Sequence, residues 1–141
     1  MRNRDLSVDY LRRAAARVKA LDVLFDEESW ADVVRESQEA VELALNGLLR
    51  ACGVEPPRVH DVSDILRLER DRLPATVLNE VDRLADISRR LRRDRELAFY
   101  GVEDLTPSGF YSRDDAQAAR SDATFVVRVV SPAVINGAGQ G

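Results

Sequence analysis

The stretch WADVVRESQEAVELALNGLLRAC, residues 30–52, carries the clearest structural signal in this chain. Its apolar residues recur at intervals of three and four, the spacing that gathers side chains on one face of an amphipathic helix. Asp26 or Ser29 is suited to cap the start of this helix, and Gly53 to end it. The predicted inward residues are Trp30, Val33, Val34, Ser37, Val41, Ala44, Leu45, Leu48, Leu49 and Cys52.

Most of the remaining chain has the same helical periodicity, and we find no run of alternating apolar and polar residues typical of a strand. Further helices are predicted over about residues 7–25, 61–68, 74–98 and 112–130. The helix over residues 74–98 is predicted to bury Leu78, and Ser112 with Asp115 is predicted to form a capping box at the start of the last helix. This pattern predicts an all-α fold, an up-and-down antiparallel bundle of four to five helices. Residues 1–131 are predicted to form a single domain, and residues 132–141 a flexible tail.

Composition and charge exclude several classes of protein. The net charge of −4 argues against a dedicated non-specific nucleic-acid binder, which is usually basic. No apolar run approaches the roughly 18 residues of a membrane span, and the amino terminus lacks the apolar core of a signal peptide. We therefore expect a cytoplasmic protein with no membrane association.

The chain offers few residues for catalysis or metal binding. It has one histidine, His60, and one cysteine, Cys52, so zinc sites built from several such ligands are excluded. Nucleotide-binding glycine motifs and a nucleophile elbow are absent as well. We predict no metal, no cofactor and no catalytic residue, and we interpret Cys52 as a buried structural thiol.

Arg95 lies where the helical pattern calls for an apolar side chain. At roughly 100° per residue, Leu84, Ser88, Leu91 and Arg95 fall within about 40° of one direction. An arginine in that position requires an anion, a partner chain or a backbone carbonyl, because burying it unpaired costs several kcal/mol.

The neighbours of Arg95 suggest an anion or nucleotide site. Arg92, at the edge of the same face, can bind a phosphate or carboxylate in bidentate fashion. Tyr100, Phe110 and Tyr111 offer rings that can stack on a base. Gln38 is a polar residue near the inward face of the helix over residues 30–52. The predicted ligand-binding residues are therefore Arg95, Arg92, Tyr100, Gln38 and Tyr111.

Structural roles are the alternative for these residues. Arg95 would then pair with an acid at the core edge, Glu39 or Glu42. The tyrosines would hold the long loop after residue 98 against the bundle. The arginine-rich run over residues 89–95 is equally compatible with a solvated helix face.

Three segments resemble the HEPN domain family, small helical domains of prokaryotes that also occur in larger proteins of higher eukaryotes. They are the helix over residues 30–54, the pair His60-Asp61, and the stretch from RELAFYG, residues 95–101, to FYSRDDAQAA, residues 110–119. The resemblance spans roughly Trp30 to Val130. It implies a helical bundle, usually a homodimer, that is often encoded beside or fused to a minimal nucleotidyltransferase.

The resemblance also bears on catalysis. Toxin-type members are metal-independent ribonucleases with an arginine, four to six residues and then a histidine. Arg95 matches the arginine, but Tyr100 stands where a histidine would be, and no histidine follows His60. A second departure is Asn46-Gly47, where the family commonly has Lys-Ala.

These departures favour a non-catalytic member of the family. The expected function is to bind a nucleotide or another anionic ligand, to partner a minimal nucleotidyltransferase, or both, with RNA a less favoured ligand. Two alternatives stay open: a toxin-type ribonuclease of a toxin–antitoxin pair that has re-sited its catalytic base, and a purely structural dimerisation protein.

Overall fold

The structure, a computed structural model, describes residues 2–56, 62–100 and 107–136, with side chains for residues 4–56, 62–92 and 109–136. These residues form helices and connections without a strand, which confirms the predicted all-α bundle. The helices are α1 (Arg2–Asp26), α2 (Trp30–Ala51), α3 (Ser63–Leu68), α4 (Ala75–Leu78), α5 (Val81–Tyr100), α6 (Pro107–Phe110) and α7 (Arg113–Ile135).

Helix α2 is the centre of the bundle and packs along both α1 and α7. Most of its predicted apolar face is buried, with Val33, Leu45 and Leu48 fully enclosed, whereas Trp30 and Cys52 at its two ends are half-buried. The helix ends as predicted at Gly53, whose φ of 77° is in the left-handed region. The amides of Gly53 and Val54 bond to the carbonyls of Arg50 and Leu49, forming a Schellman motif.

The predicted helix over residues 74–98 is two helices. Asn79 and Glu80 form a turn between α4 and α5, and Leu78, which the periodicity assigned to the core, is 36% exposed. The turn redirects the chain, because α4 packs against α7 whereas α5 packs against α3 and α2. The short α4 and the long α5 therefore take different directions to reach their partners.

Helix α7 begins at the predicted capping box and ends later than predicted. The Ser112 hydroxyl accepts from the Asp115 amide at 3.1 Å, and the Asp115 carboxylate accepts from the Ser112 amide at 2.9 Å. The helix continues through Pro132 to Ile135. Val134, which is 1% exposed, explains this continuation because it adds apolar burial to the core. Residues 132–135 are thus helical rather than part of a tail.

Replacing Ser112 with alanine tests the capping box. We expect Ser112→Ala to lower the free energy of unfolding by about 1 kcal/mol, because the first turn of α7 loses its side-chain acceptor. Urea denaturation followed by circular dichroism measures the change. Asp115→Ala in the Ser112→Ala background should cost less than in the wild type, since the two bonds are reciprocal. Additive losses would contradict a coupled cap.

Candidate functional site

A groove opens where α2, α5 and the start of α7 meet. Its volume is about 590 Å³, within the range of small-molecule sites. We call it the aromatic groove; its lining includes Val34, Leu91, Phe110, Tyr111, Asp115 and Asp122. Of the five residues predicted to bind a ligand, Tyr111 is the one found in this lining.

An aromatic pair forms one wall of the aromatic groove. The rings of Phe110 and Tyr111 meet edge to face, with centroids 5.0 Å apart and planes at 86°. Tyr111 is 8% exposed, whereas Phe110 is half-buried and keeps part of its ring accessible. The capping box at Ser112 fixes the chain immediately after this pair. The wall is therefore held in place before any ligand arrives.

Gln38 and Arg92 lie on helices that form the groove, adjacent to lining residues. Gln38 is one turn after Val34 on α2, is 2% exposed, and donates to the Glu42 carboxylate at 3.1 Å. Arg92 follows Leu91 on α5 and is half-buried. Arg95 belongs to the same helix, one turn after Leu91. The side chains of Arg95 and Tyr100 lie outside the described residues.

Ion pairs between helices account for part of the arginine-rich run. Arg89 contacts Asp64 at 3.3 Å, and Arg90 pairs with Asp122, joining α5 to α7. The structural interpretation of the run is therefore correct for these two arginines. Sequence spacing gave no sign that Arg90 and Asp122 would both line a groove, because that depends on how α5 crosses α7.

The charged residues that line the aromatic groove are Arg90, Asp115 and Asp122, so carboxylates outnumber the one cation. Asp122 is engaged by Arg90, and one oxygen of Asp115 accepts from the Ser112 amide. Carboxylates accept hydrogen bonds from the amino and imino groups of a nucleobase, whereas they repel phosphates. Apolar walls, an accessible ring and carboxylates at the edge thus suit a base better than its phosphates.

The described side chains offer no group of three or more His, Cys, Asp or Glu residues arranged for a metal ion.

Burial raises the pKa of the Cys52 thiol, which keeps it protonated and poorly nucleophilic at neutral pH. His60 and Asp61 lie outside the described residues. Among the described residues, no helix is both long and apolar enough to cross a bilayer.

Comparison with known families agrees with this architecture. The family model described as HEPN domain matches residues 7–133 of the 141-residue chain. This chain belongs to the HEPN domain family. The match begins well before Trp30, where the resemblance in the sequence begins, and therefore adds most of α1. No curated protein and no solved structure matches the chain.

Proposed function

We propose that this HEPN domain is a nucleotide-binding module without catalysis of its own. The base would occupy the aromatic groove, and the phosphates would face the arginines towards the end of α5, Arg92 and Arg95. The observation that carries the proposal is the half-buried ring of Phe110 in a groove with apolar walls and carboxylate edges. Stacking of a base on an aromatic side chain contributes about 1–3 kcal/mol.

Gln38 and Tyr111 have supporting roles in this proposal. Tyr111 is nearly buried, so it positions Phe110 through the edge-to-face contact rather than stacking on the base itself. Gln38 holds Glu42 by a hydrogen bond within α2. Tyr100, like Arg95, is proposed to contact the ligand from the end of α5.

Titration calorimetry with ATP, GTP and a short RNA tests the proposal. We expect one of the nucleotides to bind and Phe110→Ala to weaken its binding at least tenfold, because the stacking surface is lost. Arg95→Ala should weaken ATP or GTP more than the corresponding nucleoside, since it removes a phosphate contact. Arg12→Ala, an exposed arginine on α1, is the matched control and should bind as the wild type does.

Two results would reject the proposal. One is no measurable heat at millimolar nucleotide. The other is metal-independent cleavage of RNA that disappears in Arg95→Ala, which would establish the toxin-type ribonuclease instead.

We further propose that the domain acts in the cytoplasm as a homodimer and partners a minimal nucleotidyltransferase, as HEPN domains often do. Sedimentation of the wild type and of Arg95→Ala separates a ligand role from an interface role for this arginine. Loss of the dimer with nucleotide binding intact would assign Arg95 to the interface. A nucleotidyltransferase gene next to this one, and co-purification of the two products, would support the partnership.

A further inference from the structure

A second groove lies between α1, the first turn of α5 and the middle of α7, and it shares the lining residue Ser121 with the aromatic groove. Its volume is about 550 Å³. We call it the cationic groove, because four of its lining residues are basic and one is acidic. The charged lining residues are Lys19, Asp22, Arg83, Arg120 and Arg128.

Most of this positive charge is not neutralised by the protein. Asp22 pairs with Arg120 at 3.3 Å. Among the described residues, Lys19, Arg83 and Arg128 make no ion pair, although acids outnumber bases in the chain by 25 to 21. A concentration of unpaired cations in an acidic protein raises the local affinity for anions well above that of the rest of the surface.

Two of the guanidinium groups are held against aromatic rings. The Arg83 Cζ lies 3.6 Å from the ring centroid of Phe125, and the Arg120 Cζ lies 3.8 Å from that of Phe25. Both rings are themselves buried, at 6% and 8% exposure. A stacked guanidinium has lost part of its rotamer freedom already and keeps N–H donors at its edge. Binding an anion there costs less entropy than binding it with free arginines.

The arrangement favours phosphate over carboxylate. The cations without an ion pair come from three helices: Lys19 from α1, Arg83 from α5 and Arg128 from α7. A carboxylate presents two oxygens in one plane, whereas a phosphate presents oxygens in several directions and can meet donors on opposite walls. The groove is also larger than a single phosphate requires.

We propose that the cationic groove binds a ligand with two or more linked phosphate groups. None of these charged residues lines the aromatic groove, and phosphate binding here does not depend on the proposed nucleotide function. Arg83 and Arg128 are the principal contacts, with Lys19 and Arg120 completing the walls.

The test uses inorganic tripolyphosphate as the probe in calorimetry on the full chain. We expect the double variant Arg83→Gln/Arg128→Gln to lose at least tenfold in affinity. The matched control is Arg12→Gln/Arg35→Gln, two exposed arginines outside the groove, which changes the net charge equally and should keep wild-type affinity. Circular dichroism and urea denaturation establish that both double variants are folded. Equal losses in the two variants, or no binding at 50 mM salt, would overturn the proposal.

Further titrations identify the source of the phosphates. ATP and tripolyphosphate binding at similar strength, with a single-stranded oligonucleotide no stronger, would indicate a free polyphosphate. Tighter binding of the oligonucleotide would indicate a phosphodiester backbone. In that case the salt dependence of binding should show about two fewer released counterions for the groove variant than for the wild type. Competition by polyglutamate as effective as that by tripolyphosphate would contradict phosphate recognition. The Arg83→Gln/Arg128→Gln variant should bind a nucleoside, which carries no phosphate, as the wild type does, and this separates the cationic groove from the aromatic groove.

Discussion

Gly47→Leu is expected to destabilise the domain by about 3 kcal/mol, the upper part of the range for overpacked cores. A Cβ on Gly47 would lie 2.5 Å from Leu11 Cδ2, 3.2 Å from the Ser7 carbonyl oxygen and 3.3 Å from Tyr10 Cβ. Leu11 is fully buried and cannot move aside without displacing its neighbours. Any larger side chain at this position must therefore push α1 away from α2.

The sign of the smaller change Gly47→Ala should depend on Leu11. In the wild-type background the contact with Leu11 outweighs the gain in helix propensity, and we expect a net loss of stability. In the Leu11→Ala background the 2.5 Å contact is absent and the contacts of 3.2 and 3.3 Å require only a small shift, so Gly47→Ala should stabilise the protein by less than about 1 kcal/mol. Urea denaturation of the four proteins in this cycle gives the coupling energy directly.

Ala20→Leu provides the matched control, because Ala20 is an exposed position within α1. It should change the free energy of unfolding by less than about 0.5 kcal/mol. Wild-type stability for Gly47→Leu would show that α1 and α2 do not approach as closely as the geometry requires.

Ser88→Ala is expected to cost about 2 kcal/mol, from a hydrogen bond in the core. The Ser88 hydroxyl accepts from the Val62 amide at 3.2 Å, and Ser88 and Val62 are 4% and 2% exposed. Removing the hydroxyl leaves a buried N–H without this acceptor, which costs about 1–3 kcal/mol. The bond joins the start of α3 to α5, so we expect the loss of stability to appear first as local opening of α3.

Hydrogen exchange locates this effect. The Val62 amide should exchange much faster in Ser88→Ala, and α3 should open before the bundle unfolds. Ser121→Ala on the exposed side of α7 is the control and should leave both stability and exchange near wild-type values. Unchanged protection of the Val62 amide would disprove the anchoring role of Ser88.

The sequence predicted the elements that local physics dictates. The period of α2, its end at Gly53 and the Ser112 capping box depend on residues close together in the chain, and all three were confirmed. The prediction of a single helix over residues 74–98 was wrong. It was based on an apolar period that continues through Asn79 and Glu80 without interruption. What breaks the helix is the different packing of α4 and α5, which a local pattern does not contain.

For the candidate sites too, some residues could be predicted from the sequence and others are brought together only by the tertiary structure. The sequence pointed to Tyr111 and Arg92 through residue type and spacing, and these remain predicted ligand-binding residues, as do Arg95, Tyr100 and Gln38. It did not indicate that Asp122 faces Arg90, or that Lys19, Arg83 and Arg128 line one groove. Those residues are more than thirty positions apart in each case, and only helix crossing brings them together.

By itself, the sequence determined the helical class, most helix ends and the family, because periodicity, capping and family motifs depend only on the order of the residues. The tertiary structure decided which charges are neutralised. It pairs Arg89 and Arg90 with acids of other helices, and it leaves Arg83 and Arg128 stacked or exposed without such partners. Whether a charge is neutralised depends on the groups that lie near it in space. The role of each arginine was therefore decided by the helix that packs against it.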